Sequence, residues 1–209
     1  MSDTDKLDSR LSKVYQRTDD KPELYDDWAA SYDHDLLKDL GYVAHIEACR
    51  VLTSIITDRN ARILDAGCGT GLVGRTLMQA GYGNLHGNDY SSKMLEEAEK
   101  TGAYQSLGQH DLTLPIITDL PFDAAISVGV FAFSVPSAEH LVNITASLKP
   151  GGIALVTVNG KAWNDVGWES KLDGFKQACP GAILIGIQTI DYLTADGIDG
   201  RLLTLERSR

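Results

Sequence analysis

Two acids and a run of glycines carry the first chemical signal in this chain. In Arg62–Gly74, RILDAGCGTGLVG, the apolar residues Ile63 and Leu64 lead to Asp65, and Gly67, Gly69 and Gly71 follow at once. Glycine has no Cβ, so such a turn can bend sharply and bring backbone close to a ligand at the start of the next helix. Two cofactor classes use a turn of this kind. Gly69, Gly71 and Gly74 spell the GxGxxG of dinucleotide sites, and Asp89 lies twenty residues past Gly69, where such a site carries its ribose acid. Asp65 argues the other way. Its carboxylate would face the pyrophosphate of a dinucleotide and repel it, whereas a sulfonium and an α-ammonium would be attracted. The acid favours S-adenosylmethionine over NAD(P), with a nicotinamide-dependent oxidoreductase as the alternative.

Holding these residues in place takes a strand and a helix. Ala61–Ala66 reads as a short buried strand whose C-terminal end opens to solvent, and Leu72, Val73, Leu77 and Ala80 recur at helical spacing until Gly81 ends the helix. Beyond it, strands and helices alternate, which predicts a parallel sheet covered on both faces. Strands are expected near 62–66, 84–89, 104–108, 122–128, 150–158, 182–193 and 200–207, and helices near 71–80, 92–100, 137–147 and 169–178. The segments ILIGIQTIDYL and RLLTLER are joined by TADGIDG, whose Asp–Gly pairs predict a turn and hence a C-terminal antiparallel hairpin. Upstream, Leu24, Trp28, Tyr32, Leu36 and Leu40 repeat every four residues and predict a helix over 23–40 that Gly41 ends. A second helix is expected over 42–56, with Val43, Ile46, Val51, Leu52, Ile55 and Ile56 largely buried.

LDAGCGTG at Leu64–Gly71 resembles motif I of the class I S-adenosylmethionine-dependent methyltransferases, and later segments follow that family's order. GNDYSSKML (Gly87–Leu95) resembles the second strand with its acidic end, and HDL (His110–Leu112) the adenine-edge acid. FDAAISVGVF (Phe122–Phe131) resembles the fourth strand and its loop, and LKPGGIALVTV (Leu148–Val158) the turn into the fifth. The combination of YDDWAASYD, GTGLVG and VGVF is similar to the methyltransferase-like protein of the Williams–Beuren syndrome chromosome region and its bacterial relatives. The resemblance implies an α/β fold: a Rossmann-like seven-stranded sheet, mostly parallel with a C-terminal antiparallel hairpin, helices on both faces and an N-terminal helical lid. It also implies a single domain over 1–209, with lid and helix at 1–57, the cofactor-binding core at 61–158, and a substrate-side helix and hairpin at 159–209.

Carried onto this chain, the resemblance places S-adenosylmethionine at the strand ends. Gly67, Cys68, Gly69 and Gly71 would meet its methionine part through backbone groups, and Asp65 its ammonium. Asp89 suits the two ribose hydroxyls, since a carboxylate offers two acceptor oxygens. Tyr90 and Met94 could give the adenine apolar surface, Met94 being equally suited to the core. Asp111 would accept from the adenine amino group while Leu112 packs on the ring; His110 reads as structural, and Gln109 is open. Gly129 permits close approach near the transferable methyl, and Val130, Phe131 and Phe133 suggest an apolar acceptor pocket, Phe133 being better suited to the core. Tyr25 and Tyr32 in YDDWAASYD could stand over a cation. No catalytic residue is fixed; His140, His34 and Tyr32 are candidates, and direct displacement needs no nucleophile from Cys68.

The composition narrows the function further. Lysine and arginine number 19 against 29 aspartates and glutamates, a net charge of −10, which opposes a polyanionic partner. The DPPY- or NPPY-like motif of nucleobase amine methylation is also missing after the fourth strand. Both features point to a small-molecule substrate and no nucleic acid. Cys49, Cys68 and Cys179 show no metal-ligand spacing, so no metal is expected. MSDTDKLDSR lacks an apolar signal core and no run approaches a membrane span, so a cytoplasmic protein without a membrane partner is expected. The oligomeric state is not encoded legibly. A noncatalytic S-adenosylmethionine-binding module is the third reading.

Overall fold

The computed structural model of the chain describes Asp26, residues 32–132 and residues 138–209. Seven strands form one sheet: β1 (Ile63–Ala66), β2 (Leu85–Asp89), β3 (Ser106–Gln109), β4 (Phe122–Phe131), β5 (Leu148–Asn159), β6 (Ala182–Leu193) and β7 (Ile198–Arg207). Their spatial order is β3-β2-β1-β4-β5-β7-β6. β1 runs parallel to both β2 and β4, and β7 runs antiparallel to β5 and β6. The predicted hairpin is present. The chain walks from β1 outward to β3 and then crosses back to β4, so the C-terminal ends of β1 and β4 flank the point where a crevice opens.

Helices cover both faces. On one side lie α1 (Ala44–Ile55) and α2 (Leu72–Gln79), whose buried Leu52, Val73 and Leu77 meet Ile63, Ala124, Ile126 and Leu155. On the other, α4 (Ala138–Ala146) and α6 (Trp168–Ala178) bring Leu141, Ile144, Leu172 and Phe175 against Leu64, Ala66, Ala125 and Val156. The period-two alternation along β1 thus divides its side chains between two cores. Between β2 and β3 runs α3 (Ser92–Lys100), whose N-cap Ser91 accepts from the Met94 amide. Among the described residues no helix is long and apolar enough to cross a membrane.

Several expectations need correction. Of the helix expected over 23–40, residues 23–25 and 27–31 lie outside the described residues, and the part before Gly41 widens into a π-turn at Asp35–Asp39 rather than continuing as α-helix, with Leu36 and Leu40 still buried. In α1 the buried stripe is Ala44, His45, Ala48, Cys49 and Leu52, while Ile46 is 49% exposed and Ile55 42%. Small residues let the helix come close to its neighbours, and that outweighs the hydropathy of the larger ones facing out. A short helix, α5 (Gly160–Asp165), was not anticipated; the Asn159 side chain caps it by accepting from the Lys161 and Ala162 amides. VGVF is not a loop but the last part of β4, with an irregular register between Ser127 and Phe131. Phe131 is fully buried, edge-on to Trp168 and His140, and therefore belongs to the core rather than to an acceptor pocket. Replacing Phe131 by Ala should lower stability by roughly 3–5 kcal/mol in urea unfolding, as expected when a buried aromatic leaves a cavity.

Candidate active site

The glycine turn after β1 is shaped by where its amides go. The Gly67 and Cys68 amides both donate to the Asn88 carbonyl, at 2.9 and 2.8 Å, and Gly67 also reaches the Asn88 side-chain oxygen. The Gly69 amide donates to Asp89 Oδ2 at 2.8 Å, and the Gly71 amide to the Cys68 carbonyl at 2.9 Å. Four amides that might have cradled a pyrophosphate are spent inside the protein. What the turn still offers a ligand is carbonyl oxygen, which accepts from a cationic donor. Gly69 has φ +53° and open space where a Cβ would sit, so the turn presents backbone outward.

Asp65 lies beneath this turn, and here the expected opening to solvent is absent. The residue is only 2% exposed, and its Oδ1 has no hydrogen-bond partner among the described residues. Oδ2 accepts from the Tyr104 hydroxyl at 2.6 Å, and that hydroxyl in turn accepts from the Gly74 amide at 3.1 Å. Burial pushes the Asp65 carboxyl up to about 7; the Tyr104 bond pulls it back and the Asp89 charge raises it again. Tyr104 also explains the third glycine of the dinucleotide-like pattern. A Cβ at Gly74 would run into the Tyr104 ring, so that glycine serves the tyrosine.

Asp89 ends β2 and ties two loops together. Its Oδ2 takes the Gly69 amide and its Oδ1 the Ser91 amide at 2.9 Å. Burial raises its pKa, while the Ser91, Gly69 and Tyr90 amides act against that rise. Each carboxylate oxygen keeps a second lone pair for a ribose hydroxyl. Two further aspartates come from the N-terminal segment. Asp33 accepts from the Thr70 hydroxyl and lies 3.9 Å from the Arg75 guanidinium. Asp26 accepts from the Ser91 hydroxyl and the Lys93 amide. Asp26 and Asp33 thus bond to the loops after β2 and β1 respectively.

The remaining candidates separate. Leu112 is buried, and its Cδ1 lies 3.8 Å from where a Gly67 Cβ would sit, a position that Val130 also crowds; Gly67, Leu112 and Val130 therefore meet. Asp111 closes a local turn on the Thr113 amide and hydroxyl, at 2.8 and 2.7 Å. Although burial acts to raise its pKa, those bonds hold it below the ordinary value. Gln109 donates to the Tyr90 carbonyl, Tyr90 is exposed, and Met94 is buried in the manner of a core residue. Cys68 is buried, and burial beside Asp65 and Asp89 raises its thiol well above the ordinary range, so it carries no thiolate nucleophile. His140 is buried against Phe131, whereas His34 is largely exposed beside Asp35. Tyr32 packs at the edge of the α1-side core. Tyr25 and Phe133 lie outside the described residues.

Tyr104, Asn88 and the tethering pair Asp26 and Asp33 were missed. Tyr104 belongs to no motif; the only sequence trace of it is the three glycines, Gly71, Gly74 and Gly87, that make room for its ring.

A family model described as a methyltransferase domain matches residues 63–152. The chain belongs to the class I methyltransferases that use S-adenosylmethionine. It is 36% identical to human methyltransferase-like protein 27 over 168 residues, 76% of this chain and 66% of that one. It is 31% identical over 121 residues to the tRNA U34 carboxymethyltransferase of Cellvibrio japonicus, 54% of this chain and 38% of the relative. The chain thus spans less than two thirds of either. Among solved structures, the TehB-like S-adenosylmethionine-dependent methyltransferase of Corynebacterium glutamicum superposes with a TM-score of 0.61 at 20% identity, covering 90% of this chain and all of that one. That likeness shows the fold.

Asp65 makes the methyltransferase fold testable by pH. Its folded pKa is raised, so its stabilising contribution is present in full below the unfolded value of about 4 and is lost as pH rises through about 7. Cofactor binding runs the opposite way, because an ammonium selects the ionised carboxylate. S-adenosylhomocysteine affinity should rise about tenfold between about pH 6 and 8 in calorimetric titrations, and Asp65→Asn should flatten that rise. Tyr104→Phe removes a bond to the ionised form and should move the midpoint to higher pH.

Proposed function

We propose that the chain transfers the methyl group of S-adenosylmethionine to a small-molecule acceptor by in-line displacement. The observation that carries the cofactor half is the buried, half-unpartnered Asp65 carboxylate beneath a turn whose amides are spent. Such a site is short of donors and rich in acceptors. It fits a ligand with an ammonium and a sulfonium and does not fit a pyrophosphate, which speaks against the nicotinamide reading. Small-molecule acceptance is supported by the net charge of −10 and by Asp26, Asp33, Asp65 and Asp89 gathered around the cofactor loops. The tRNA-modifying relative supplies a second reading, and those same acids oppose an RNA backbone.

Each residue then has a part. Gly67 and Gly69 would offer carbonyls to the methionine end, with Asp65 beneath them holding the positive charge. Asp89 would accept from the ribose hydroxyls while keeping the Gly69 and Ser91 amides in place. Asp111 and Leu112 would meet the adenine edge, and Tyr25 and Tyr32 would close the methionine side. Bound S-adenosylmethionine supplies an activated methyl and a neutral thioether leaving group, so the protein's work is to orient the nucleophile and exclude water. His140 packs edge-on against Phe131 and His34 lies beside Asp35; a thiol, a neutral amine or a carboxylate acceptor would need no base, whereas a hydroxyl would call for a nearby His or acid. The cytoplasm, with no membrane partner, is the proposed setting.

Titration calorimetry with S-adenosylhomocysteine, NADH and bulk tRNA tests the reading. Binding of the first alone is expected, and binding of NADH alone would overturn it. Release of S-adenosylhomocysteine should follow when S-adenosylmethionine is supplied with a panel of alcohols, phenols, amines, thiols and acids; turnover with tRNA alone would replace the small-molecule reading. Asp89→Asn should weaken cofactor binding by about 1–3 kcal/mol and also lower the melting temperature, because the same oxygens hold two backbone amides.

A further inference from the structure

The two edges of the sheet are built differently. At one end β3 is four residues long, and at the other β6 runs for twelve. A long edge strand presents a row of unpaired N–H and C=O groups that another strand can meet. Among the described residues only the far end of β6 is covered on its outer side, where Tyr42 bridges to Leu193 and the Val43 amide donates to the Tyr192 carbonyl. From Ile183 to Asp191 the outer side takes no backbone hydrogen bond from them. Exposed edges are ordinarily protected by charge or proline, and Ala182–Ile190 contains neither. No charged residue stands between Lys176 and Asp191, in a chain of which 23% is charged, while Ile183, Ile185 and Ile187 are 53%, 54% and 45% exposed. These isoleucines reach both faces. Ile183 pairs with Glu206, which pairs with Ile153 beside the α1-side core, so Ile183 lies on that face. Ile187 pairs with Leu203 of the core under α4 and α6 and lies on the opposite face. Between them Ile185 is the extra residue of a bulge, since Leu184 stands opposite Leu205 and Gly186 opposite Thr204. Apolar surface on both sides of one strand fits an occupant that continues the sheet, not one lying on a single face.

We propose that β6 pairs with β6 of a second copy of this chain, antiparallel across a two-fold axis near Ile185–Ile187, so that two seven-stranded sheets become one. A two-fold contact sets each patch against itself. At a net charge of −10 two copies repel, and the uncharged strip between Lys176 and Asp191 is a place where they can meet with little added repulsion. Antiparallel pairing keeps the α1 face of one copy beside the α1 face of the other, so Ile183 and Ile187 are each covered on their own side. It also sends the two copies of Asp191 to opposite ends of the paired segment. Ala182–Asp191 spans about 33 Å, and the sheet with a helix on each face is about 20 Å thick. Such a strip approaches the roughly 800 Å² per partner that a stable interface buries. β6 runs parallel to β5, because each is antiparallel to β7. The crevices of the two copies therefore open at opposite edges of the joined sheet, and neither cofactor site borrows residues from the other copy.

Sedimentation velocity on the full chain, over a roughly hundredfold range of concentration, should show a dimer that dissociates on dilution. Ile185→Asp and Ile187→Asp should each weaken that dimer about tenfold or more, because the two-fold axis brings the added charges together. Ile187→Thr keeps a β-branched side chain and should give a smaller loss. S-adenosylhomocysteine affinity should change less than twofold in all three, which also reports an intact fold. Ile117→Asp adds the same charge at a nearly fully exposed position on the loop before β4 and should leave the dimer as it is. Hydrogen exchange at the amides of 183–190 should be slow in the dimer and faster in Ile187→Asp. A monomer at every concentration, a dimer that ignores the β6 variants, or equal weakening by Ile117→Asp would each overturn the proposal. A monomer whose β6 amides are nonetheless slow would overturn it in favour of residues 1–25 of the same chain as the occupant. The methyltransferase reading stands apart from all of these outcomes.

Discussion

A carboxylate buried at the end of β1 is the constraint around which the cofactor side is organised. Asp65 is taken out of water with one oxygen bonded to Tyr104 and the other unpartnered among the described residues. Removing an acid from water disfavours its charged form unless opposite charge or donors are supplied. The protein supplies one donor and leaves the second position open. The protein therefore carries an unmet electrostatic demand at the end of β1. Tyr104 supports that arrangement from β3's side of the sheet, and Gly71, Gly74 and Gly87 give its ring the space to do so.

Side chains at the end of β2 fix the shape of the neighbouring turn. Asn88 and Asp89 between them take the amides of Gly67, Cys68 and Gly69, so the turn after β1 cannot relax without disturbing the end of β2. Asp33 and Asp26 add bonds from the N-terminal segment to Thr70 and Ser91. The acids of this site accordingly have two tasks, holding backbone and setting a negative field. Removing any one of them changes both, which is why charge and loop order have to be measured together in variants of this protein.

Much of the architecture was legible because its signals are local. Apolar runs ending in glycine or acid marked β1 and β2, Asp–Gly pairs marked the terminal hairpin, and the motif order implied the sheet. What could not be read depends on tertiary fit. The buried face of α1 runs through Ala44 and Ala48, which hydropathy ranks below Ile46 and Ile55. Phe131 stands two residues after Gly129 yet turns into the core on the α4 and α6 side, with the register of β4 irregular between Ser127 and Phe131. Asp65 was legible as an acid near a ligand, but its one hydrogen-bond donor is Tyr104, thirty-nine residues further along the chain and in no motif. Tyr42 likewise gains its place only when the residues just before α1 meet Tyr192 of β6.

The strand order has a consequence for how the sheet is completed. β7 follows β6 in the chain but lies inside it, wedged between β5 and β6. Until β7 arrives, β5 has an open edge, and β6 has no neighbour through which to join the sheet. Val156, Val158 and Leu203 then enter the same core, so the final strand closes backbone pairing and side-chain packing in one event. Such non-local closure comes late, after a large loop entropy has been spent. Tyr192, at the C-terminal end of β6, is held in that arrangement too. The ring that stands edge-on to Tyr42 is thus joined to the sheet only through the last strand, which makes the packing beside α1 depend on the C-terminal end of the chain.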